Sequence, residues 1–511
     1  MDWSAAAHNA FMSIYTLMLV MVSLFGLHRY VLVYLYFRHR KKVPVAGKFE
    51  QLPRVTIQLP MYNERLVAKR IIERTCLLDY PRELLQIQVL DDSTDDTVQI
   101  ASSAVEQARA QGFDIEYIHR TNRGGYKAGA LTNGMQTATG EFIAIFDADF
   151  VPDKDFLNRS IHYFTDPKVC VVQTRWEHIN RNDSLLTRSQ ALFLDGHFGI
   201  EHVARNRSER FMAFNGTAGT WRRTAIEDAG GWHHDTLTED LDLSYRAQLK
   251  GWKFIFLPDL KSPAELPPEM NAFKAQQFRW TKGGAQTALK ILPKVMMSKA
   301  SLKVKLEAFF HLTCFTVHLY MLMLVLMLFP AMCIQSVPLE NGTAWRAIFD
   351  IGVFALATMS VTVFYMASQV EVMGDWRTAI KFMPMLMALG VGMSVSNAKG
   401  VIEAFIGKKS EFVRTPKYGC GDITQETFVG PRKKRRNLLP YIEFAFGLYM
   451  TVCFIWSLTS INRLLSTPFM LIFAFGFYYV SIMSFLGERR TARERRLASA
   501  PQLQLVEADK N

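Results

Sequence analysis

Apolar and polar positions divide the 511-residue chain into three regimes. Residues 11–37 are almost uninterrupted apolar, broken only by His28-Arg29, and the basic run Arg38-His39-Arg40-Lys41-Lys42 follows at once. That length suits a membrane-crossing helix, exceeds a signal-peptide core and leads to no small-residue cleavage site. From 54 to about 262 the pattern changes to strand-length stretches, Val55 to Leu59, Gln86 to Leu90, Ile115 to Ile118 and Phe142 to Phe146. Helical stretches such as 64–78 and 96–110 lie between them. Strand and helix alternating at this rhythm predict an α/β domain, a mostly parallel sheet covered on both faces. Ligands of such sheets bind beyond the carboxyl ends of the strands. After about 300 long apolar runs return, at roughly 306–334, 346–369, 440–461 and 467–486, each of bilayer-crossing length. Segment 379–406 is apolar too, but Gly390, Gly392, Asn397 and Lys399 interrupt it.

Charge matters here through its placement. The net +12 comes from 59 basic and 47 acidic residues. A nucleic-acid-binding chain carries such charge as a stripe with interleaved aromatics on a soluble fold. Here the densest runs, 38–42, 432–436 and Arg489-Arg490 through Arg495-Arg496, flank apolar segments. They are expected to orient the chain in a lipid bilayer and to meet anionic headgroups, with no nucleic-acid partner. A single crossing by 379–406 places the basic loop 408–436 outside, against the positive-inside bias, so a re-entrant or interfacial element fits better. That parity gives five spans, with the amino terminus outside and the α/β region, the basic loop and the Arg-rich tail in the cytoplasm. The six cysteines (76, 170, 314, 333, 420 and 453) form no CxxC pair and read as free thiols. Asn341-Gly342-Thr343 is a glycosylation sequon on the predicted outer loop.

Candidate chemistry lies where strands end. Asp147-Ala148-Asp149 follows the run ending at Phe146, and residues two apart in extended chain point the same way. Two carboxylates held together are costly unless a cation lies between them, and hard oxygen ligands suit Mg²⁺ or Mn²⁺ shared with phosphates. Asp91-Asp92 closes the second strand, and Tyr62 and Glu64 follow the first, placed to meet a base and ribose; each could equally cap a helix. Lys127, in Arg123-Gly124-Gly125-Tyr126-Lys127, is a candidate phosphate contact, although the stretch is neither a Walker motif nor GxGxxG. Thr238-Glu239-Asp240 opens a helical stretch, and a carboxylate there can take the proton of an attacking hydroxyl. Gln276, Arg279 and Trp280 share one helical face, offering a planar cation to a diphosphate and an apolar platform to a sugar. An amphipathic interfacial helix with a Trp anchor is the plainer reading of the same spacing.

Taken in order, these motifs closely resemble the D, DxD, TED, QxxRW pattern of processive family-2 glycosyltransferases of the cellulose synthase type. Phe214-Asn215-Gly216-Thr217-Ala218-Gly219, Ala229-Gly230-Gly231-Trp232 and Glu265-Leu266-Pro267 bring the likeness to the plant cellulose synthase-like A and C branches. The resemblance implies a GT-A domain over 44–300, a first helix and basic flank over 1–43, a membrane domain over 301–488 and a basic tail over 489–511. It implies an inverting hexosyltransferase that polymerises a β-linked glucan, mannan or glucomannan from UDP-glucose or GDP-mannose, in a bacterial plasma membrane or a Golgi membrane. By that resemblance Asp91 or Asp92 contacts the nucleotide, with Tyr62, Glu64 and Lys127 beside it. Asp147 and Asp149 serve the metal and diphosphate, and Asp240 with Glu239 serves as base. Gln276 and Arg279 hold the diphosphate, and Trp280, Phe214, Asn215 and Gly216 hold the growing polysaccharide. Phe412, Thr415 and Lys417 match the gating loop F-x-V-T-x-K, with Arg414 where the family has valine. Nothing resembles a cyclic-dinucleotide-binding domain. Polar and aromatic residues within spans, His311, His318, Tyr320, Tyr365 and Trp456, could line a path for the polymer. The alternative chemistry is transfer of one sugar to a membrane lipid. A transporter with a nucleotide-binding domain is opposed by the scarcity of ionisable residues in the spans.

Overall fold

The computed structural model describes residues 5–334, 343–420, 437–459 and 467–508. Its centre is a seven-stranded sheet in the order β3-β2-β1-β4-β6-β5-β7. β1 (Val55–Met61), β2 (Leu85–Asp91), β3 (Asp114–His119) and β4 (Phe142–Ile145) pair in parallel. Every residue of β1, β2 and β4 is buried, and β4 is wholly apolar, whereas β1 and β2 alternate apolar residues with Thr56, Gln58, Gln86 and Gln88 although both their faces are covered. β6 (Gly219–Arg222) runs antiparallel to β4 and to β5 (Val169–His178), and β7 (Lys253–Ala264) pairs with β5 in parallel. The mostly parallel α/β expectation holds, with one antiparallel strand added. Buried polar side chains on β1 and β2 satisfy each other in register: Thr56 donates to Gln86 at 2.7 Å and Gln58 to Gln88 at 3.0 Å.

The path from β1 through β2 to β3 fills one side of β1, and β4 then takes the other. Strand order therefore reverses between β1 and β4, where doubly wound sheets open a crevice at their carboxyl ends. Helices α2 (Ala68–Cys76), α3 (Thr97–Ala110), α4 (Tyr126–Gly134) and α5 (Phe156–Ser160) link the early strands. α6 (Leu185–Gly196), a π turn (His197–Glu201) and α7 (His202–Arg207) follow β5, and α8 (Arg223–Asp228) and α9 (Glu239–Leu249) separate β6 from β7. α10 (Met270–Met297) leaves the sheet and leads to the apolar helices.

Those helices are α1 (Ala5–His39), α11 (Leu302–Thr313), α12 (Val317–Ile334), α13 (Thr343–Met373), α14 (Arg377–Gly392), α15 (Ser394–Phe405), α16 (Leu439–Ser457) and α17 (Thr467–Ala508). Among the described residues four stretches are long and apolar enough to cross a membrane: Ala6–His39, Leu302–Cys333, Leu439–Ser457 and Thr467–Arg490. The chain is a membrane protein. The interrupted segment 379–406 is the bent pair α14–α15, with an angle of 43° at the break, a geometry shared by broken spans and re-entrant loops. The expected span 346–369 lies in α13, one 31-residue helix laid along α1. No break sets off the basic tail at 489, because α17 continues through it to Ala508. Residues 341 and 342 of the sequon and the basic run 432–436 lie outside the described residues. Of the residues considered for a polymer path, His311 bonds the Tyr245 hydroxyl at 2.8 Å and His318 meets Asn397 at 3.2 Å. Tyr320 stacks on Phe25, and Trp456 meets Phe329 edge to face.

Candidate active site

The carboxyl ends of β1, β2 and β4, the first turns of α4 and α9, one face of α10 and the loop 408–420 surround a single cleft. Asp91 turns away from it. Its buried carboxylate accepts from the Tyr117 hydroxyl at 2.7 Å and from the Ser93 N–H at 2.8 Å, so it organises the strand end. Asp92 faces the cleft, gripped by Arg120 through paired bonds of 2.8 and 2.6 Å. Of the two aspartates offered for nucleotide contact, Asp92 alone borders the cleft. Tyr62 borders it too, with the Arg123 guanidinium 3.4 Å above its ring.

Asp147 and Asp149 both reach the cleft, carried there by a turn that the Phe150 N–H closes on the Asp147 carbonyl at 3.0 Å and not by the extended chain expected from their spacing. Lys127, in the first turn of α4, pairs with Asp147 and donates to the Gly216 carbonyl at 3.0 Å. Lys417 lies 2.7 Å from Asp149 Oδ2, while Asp149 Oδ1 is buried with no hydrogen-bond partner. Burial opposes the charge on both lysines, but the facing Asp147 and Asp149 outweigh it and hold the ammonium groups above the ordinary lysine range. A buried carboxylate oxygen without a partner, beside a second carboxylate, fits a divalent cation of the Mg²⁺ or Mn²⁺ kind.

Asp240 begins α9 next to Glu239. Gly216 (φ +82°) approaches so closely that a Cβ there would stand 3.0 Å from Asp240 Oδ2. Burial, and then the neighbouring Glu239 charge, push Asp240 up to about 7, against the Leu241 N–H that donates to Oδ1 at 2.8 Å. Glu239 is raised as well, chiefly by burial, with Lys127 opposing. One turn on, the fully buried Asp242 is held by Arg246 at 2.8 Å and by Lys290 at 2.9 Å. Asp242, His233 and Asp235 come together with metal-ligand spacing. The Lys290 ammonium, 2.8 Å from Asp235 and 2.9 Å from Asp242, already supplies the cation, so this is an ion-pair cluster tying α9 to α10.

Gln276, Arg279 and Trp280 line the cleft from α10. Arg279 donates to the Val413 carbonyl at 2.8 Å and to the Thr415 hydroxyl at 3.4 Å, and its guanidinium stands 4.6 Å from the Phe412 ring. The loop thus lies across the cleft with its cations inward, Lys417 on Asp149 and Arg414 Nη1 at 2.5 Å from Glu64. Burial raises Glu64, and Arg414 opposes that rise. Asn215 and Gly216 border the cleft, but the Phe214 side chain does not. It is fully buried and packs edge-on against Trp221, so its expected sugar contact is replaced by a core role. Trp176 and His178 from β5, Arg123 and Glu265 also line the cleft. Glu265-Leu266-Pro267 stood among the matching stretches; Trp176 and His178 carried no local signal, since only the pairing of β5 with β7 brings them there.

A model described as "Glycosyltransferase like family 2" matches residues 53–283. Glucomannan 4-beta-mannosyltransferase 7 of Arabidopsis thaliana is 33% identical over 452 residues, 85% of this chain and 79% of that protein. Probable glucomannan 4-beta-mannosyltransferase 7 of Oryza sativa subsp. japonica is 45% identical over 266 residues, 50% of this chain but only 46% of the rice protein. The fold is similar to a mannosyltransferase of Pyrobaculum calidifontis solved with GDP-Man and Mn2+, at TM-score 0.50 and 19% identity over 77% of this chain and 100% of that one. The ordered motifs, the sheet that carries them and these relatives converge: the chain belongs to glycosyltransferase family 2, in its cellulose synthase-like group, and is a hexosyltransferase.

Proposed function

We propose that the chain extends a β-1,4-linked mannan or glucomannan from GDP-mannose, with UDP-glucose as the second donor for mixed chains, on the cytoplasmic face of its membrane. The names of its relatives favour this polymer over a sugar placed on a lipid. The observation that carries the mechanism is Asp240, its pKa raised to about 7, in a cleft that Lys127 and Arg279 also line. A carboxylate titrating near the working pH is a competent general base.

In this reading the acceptor hydroxyl gives its proton to Asp240 as its oxygen bonds to the anomeric carbon. The nucleoside diphosphate leaves from the opposite face with the bonding electrons, and the centre is inverted to β. Lys127 and Arg279 stabilise the charge gathering on the leaving group. Asp147 and Asp149 hold the divalent cation, which when bound neutralises diphosphate charge. Asp92, Tyr62 and Glu64 contact the nucleoside, Gln276 helps to hold the diphosphate, and Trp280 with Asn215 and Gly216 receives the acceptor sugar. The loop carrying Phe412, Thr415 and Lys417 covers the loaded cleft, and the product passes between the spans.

The test is incorporation from labelled GDP-mannose and UDP-glucose by membrane-reconstituted protein with Mg²⁺ or Mn²⁺, followed by β-mannanase digestion. High-mass product released by mannanase is the expected result. Label found only in the organic phase would overturn the polymer reading in favour of a lipid acceptor.

A further inference from the structure

Where α6 would otherwise run into α7, the backbone widens into the π turn His197–Glu201, and the His202 N–H bonds the His197 carbonyl. In a regular α-helix residues five apart face different sides, whereas an i→i+5 turn brings them over one another, and such turns are frequent at functional sites. The two imidazoles accordingly lie 4.3 Å apart, centroid to centroid. Both point at one carboxamide. Asn215 Nδ2 is 3.0 Å from His197 Nε2, and Asn215 Oδ1 is 2.6 Å from His202 Nε2.

The direction of these bonds is set by the half-buried Glu201 charge. Glu201 Oε2 lies 3.1 Å from His197 Nδ1 and 3.2 Å from Arg205, which in turn donates to Glu307 at 2.9 Å. An ionised Glu201 only accepts, so in its neutral form His197 carries its proton on Nδ1 and offers a bare Nε2. The Asn215 amide must then donate to His197, and its oxygen must accept from His202 Nε2–H. His202 Nδ1, buried without a partner, is the nitrogen this tautomer leaves unprotonated. Turning the carboxamide over would set Oδ1 against the bare His197 Nε2, an acceptor on an acceptor, and Nδ2 against the His202 Nε2–H, a donor on a donor. One Nδ2 hydrogen and one Oδ1 lone pair remain, on a side chain that borders the cleft beside Gly216 and hence beside Asp240.

We infer that His197 and His202 are positioning residues that lock the Asn215 carboxamide as a fixed donor–acceptor pair for a hydroxyl of the acceptor sugar. This rests on the reading of the cleft as a sugar-transfer site with the acceptor on the Asp240 side. A hydroxyl both donates and accepts, so a carboxamide of fixed polarity orients it and with it the neighbouring hydroxyl that must face Asp240. Water needs no such orientation and stays the competing acceptor.

The experiment uses the full chain in lipid nanodiscs with soluble β-1,4-manno-oligosaccharide and whichever nucleotide sugar the wild type consumes. It reads the partition of donor between transfer and hydrolysis as acceptor is raised. His202→Leu and Asn215→Ala should each raise the acceptor concentration for half-maximal transfer by about tenfold, the worth of one oriented hydrogen bond, and shift turnover towards hydrolysis at unchanged donor KM. His202→Gln retains an N–H at the Nε2 position and loses nothing at the partnerless Nδ1, so it should restore the wild-type partition. Wild-type partition in His202→Leu, equal damage from Gln and Leu, or a donor KM that rises in step would overturn the inference. Should His202→Leu fail to fold, Asn215→Ala decides alone, and an unchanged partition overturns it. Polymer made at normal partition by these variants sinks this inference and leaves the polymer reading standing. Absence of polymer with a His202-dependent partition does the reverse.

Discussion

Asp240 carries the most exposed consequence at the scale of single residues. Its folded-state pKa lies above the unfolded value of about 3.9, so the native chain binds this proton more tightly than the unfolded one. The stability it contributes is therefore present at low pH and lost as pH rises through about 7. Asp240→Asn should lower transfer by about 10²–10⁴-fold, and the melting temperature of the variant relative to wild type should climb between pH 5 and pH 8. A melting difference that is flat across that range would contradict the strained carboxylate. Lys417 gives a second prediction. Its ammonium neutralises one oxygen of Asp149, the residue proposed to hold the cation. Lys417→Ala should let less Mn²⁺ reach half-maximal activity, and Mn²⁺ binding followed by EPR without donor should tighten in parallel. Part of this was legible in the chain: the three- and four-residue spacing of Gln276, Arg279 and Trp280 places them on one side of α10 by helix geometry, whereas Asp147 and Asp149 share the cleft through a turn that the extended-chain reading did not foresee. That Asp92 and not Asp91 borders the cleft, and that Phe214 packs in the core, depends on Tyr117 in β3 and Trp221 in β6, partners that no local pattern specifies.

Elements position these residues, and α10 does so at two points. Arg279 meets the 408–420 loop over the cleft, while Lys282, with no exposed side chain, pairs at the loop root with Glu403 of α15 at 2.9 Å. Lys282 also bonds Ser410, and Lys408 returns to the second Glu403 oxygen at 2.9 Å. The root is thus an ion-pair cluster between α10 and α15, buried at Lys282 and open to solvent at Lys408, and the outer loop is held by Arg279 and by the cleft carboxylates. Removing one partner of a buried pair typically costs about 3–5 kcal/mol, and Lys408 remains for Glu403, so Lys282→Met should cost about 3 kcal/mol. Hydrogen exchange should then rise across 408–420 ahead of α10 itself. Exchange unchanged in the loop would show that its root is held elsewhere. The apolar run Phe142–Ile145 announced β4, and alternation of apolar residues with Thr56, Gln58, Gln86 and Gln88 announced β1 and β2, without showing that those polar side chains are buried too. The four-residue β6 and the π turn left no such trace, since neither length nor period separates them from a loop or an ordinary helix.

At the scale of the whole molecule, the order of a first helix, an α/β domain and an apolar bundle could be read directly, but the junction between them could not. It joins residues far apart in sequence. Gly196 sits where a Cβ would come within 2.6 Å of the Phe364 ring and 2.8 Å of the Tyr365 ring, both on α13, and Gly199 opposes Val372 in the same way. Arg29 of α1 lies 5.0 Å over Phe364, and Glu307 of α11 links His28 at 3.1 Å to Arg205 at 2.9 Å. The catalytic domain is therefore packed against its membrane helices by close backbone approach and buried charge, and the π turn that orients Asn215 is part of that contact. A domain tethered only by linkers would melt independently; one sharing a packed core with the bundle should not. Gly196→Val inserts side-chain volume against two aromatic rings that cannot swing aside cheaply, at about 1–3 kcal/mol. Calorimetry of the full chain in detergent should show one transition displaced to lower temperature, with intrinsic fluorescence and loss of donor hydrolysis moving together. Two transitions, with only the bundle shifted, would mean that the catalytic domain stands on its own and that the junction plays no part in holding the acceptor side of the cleft.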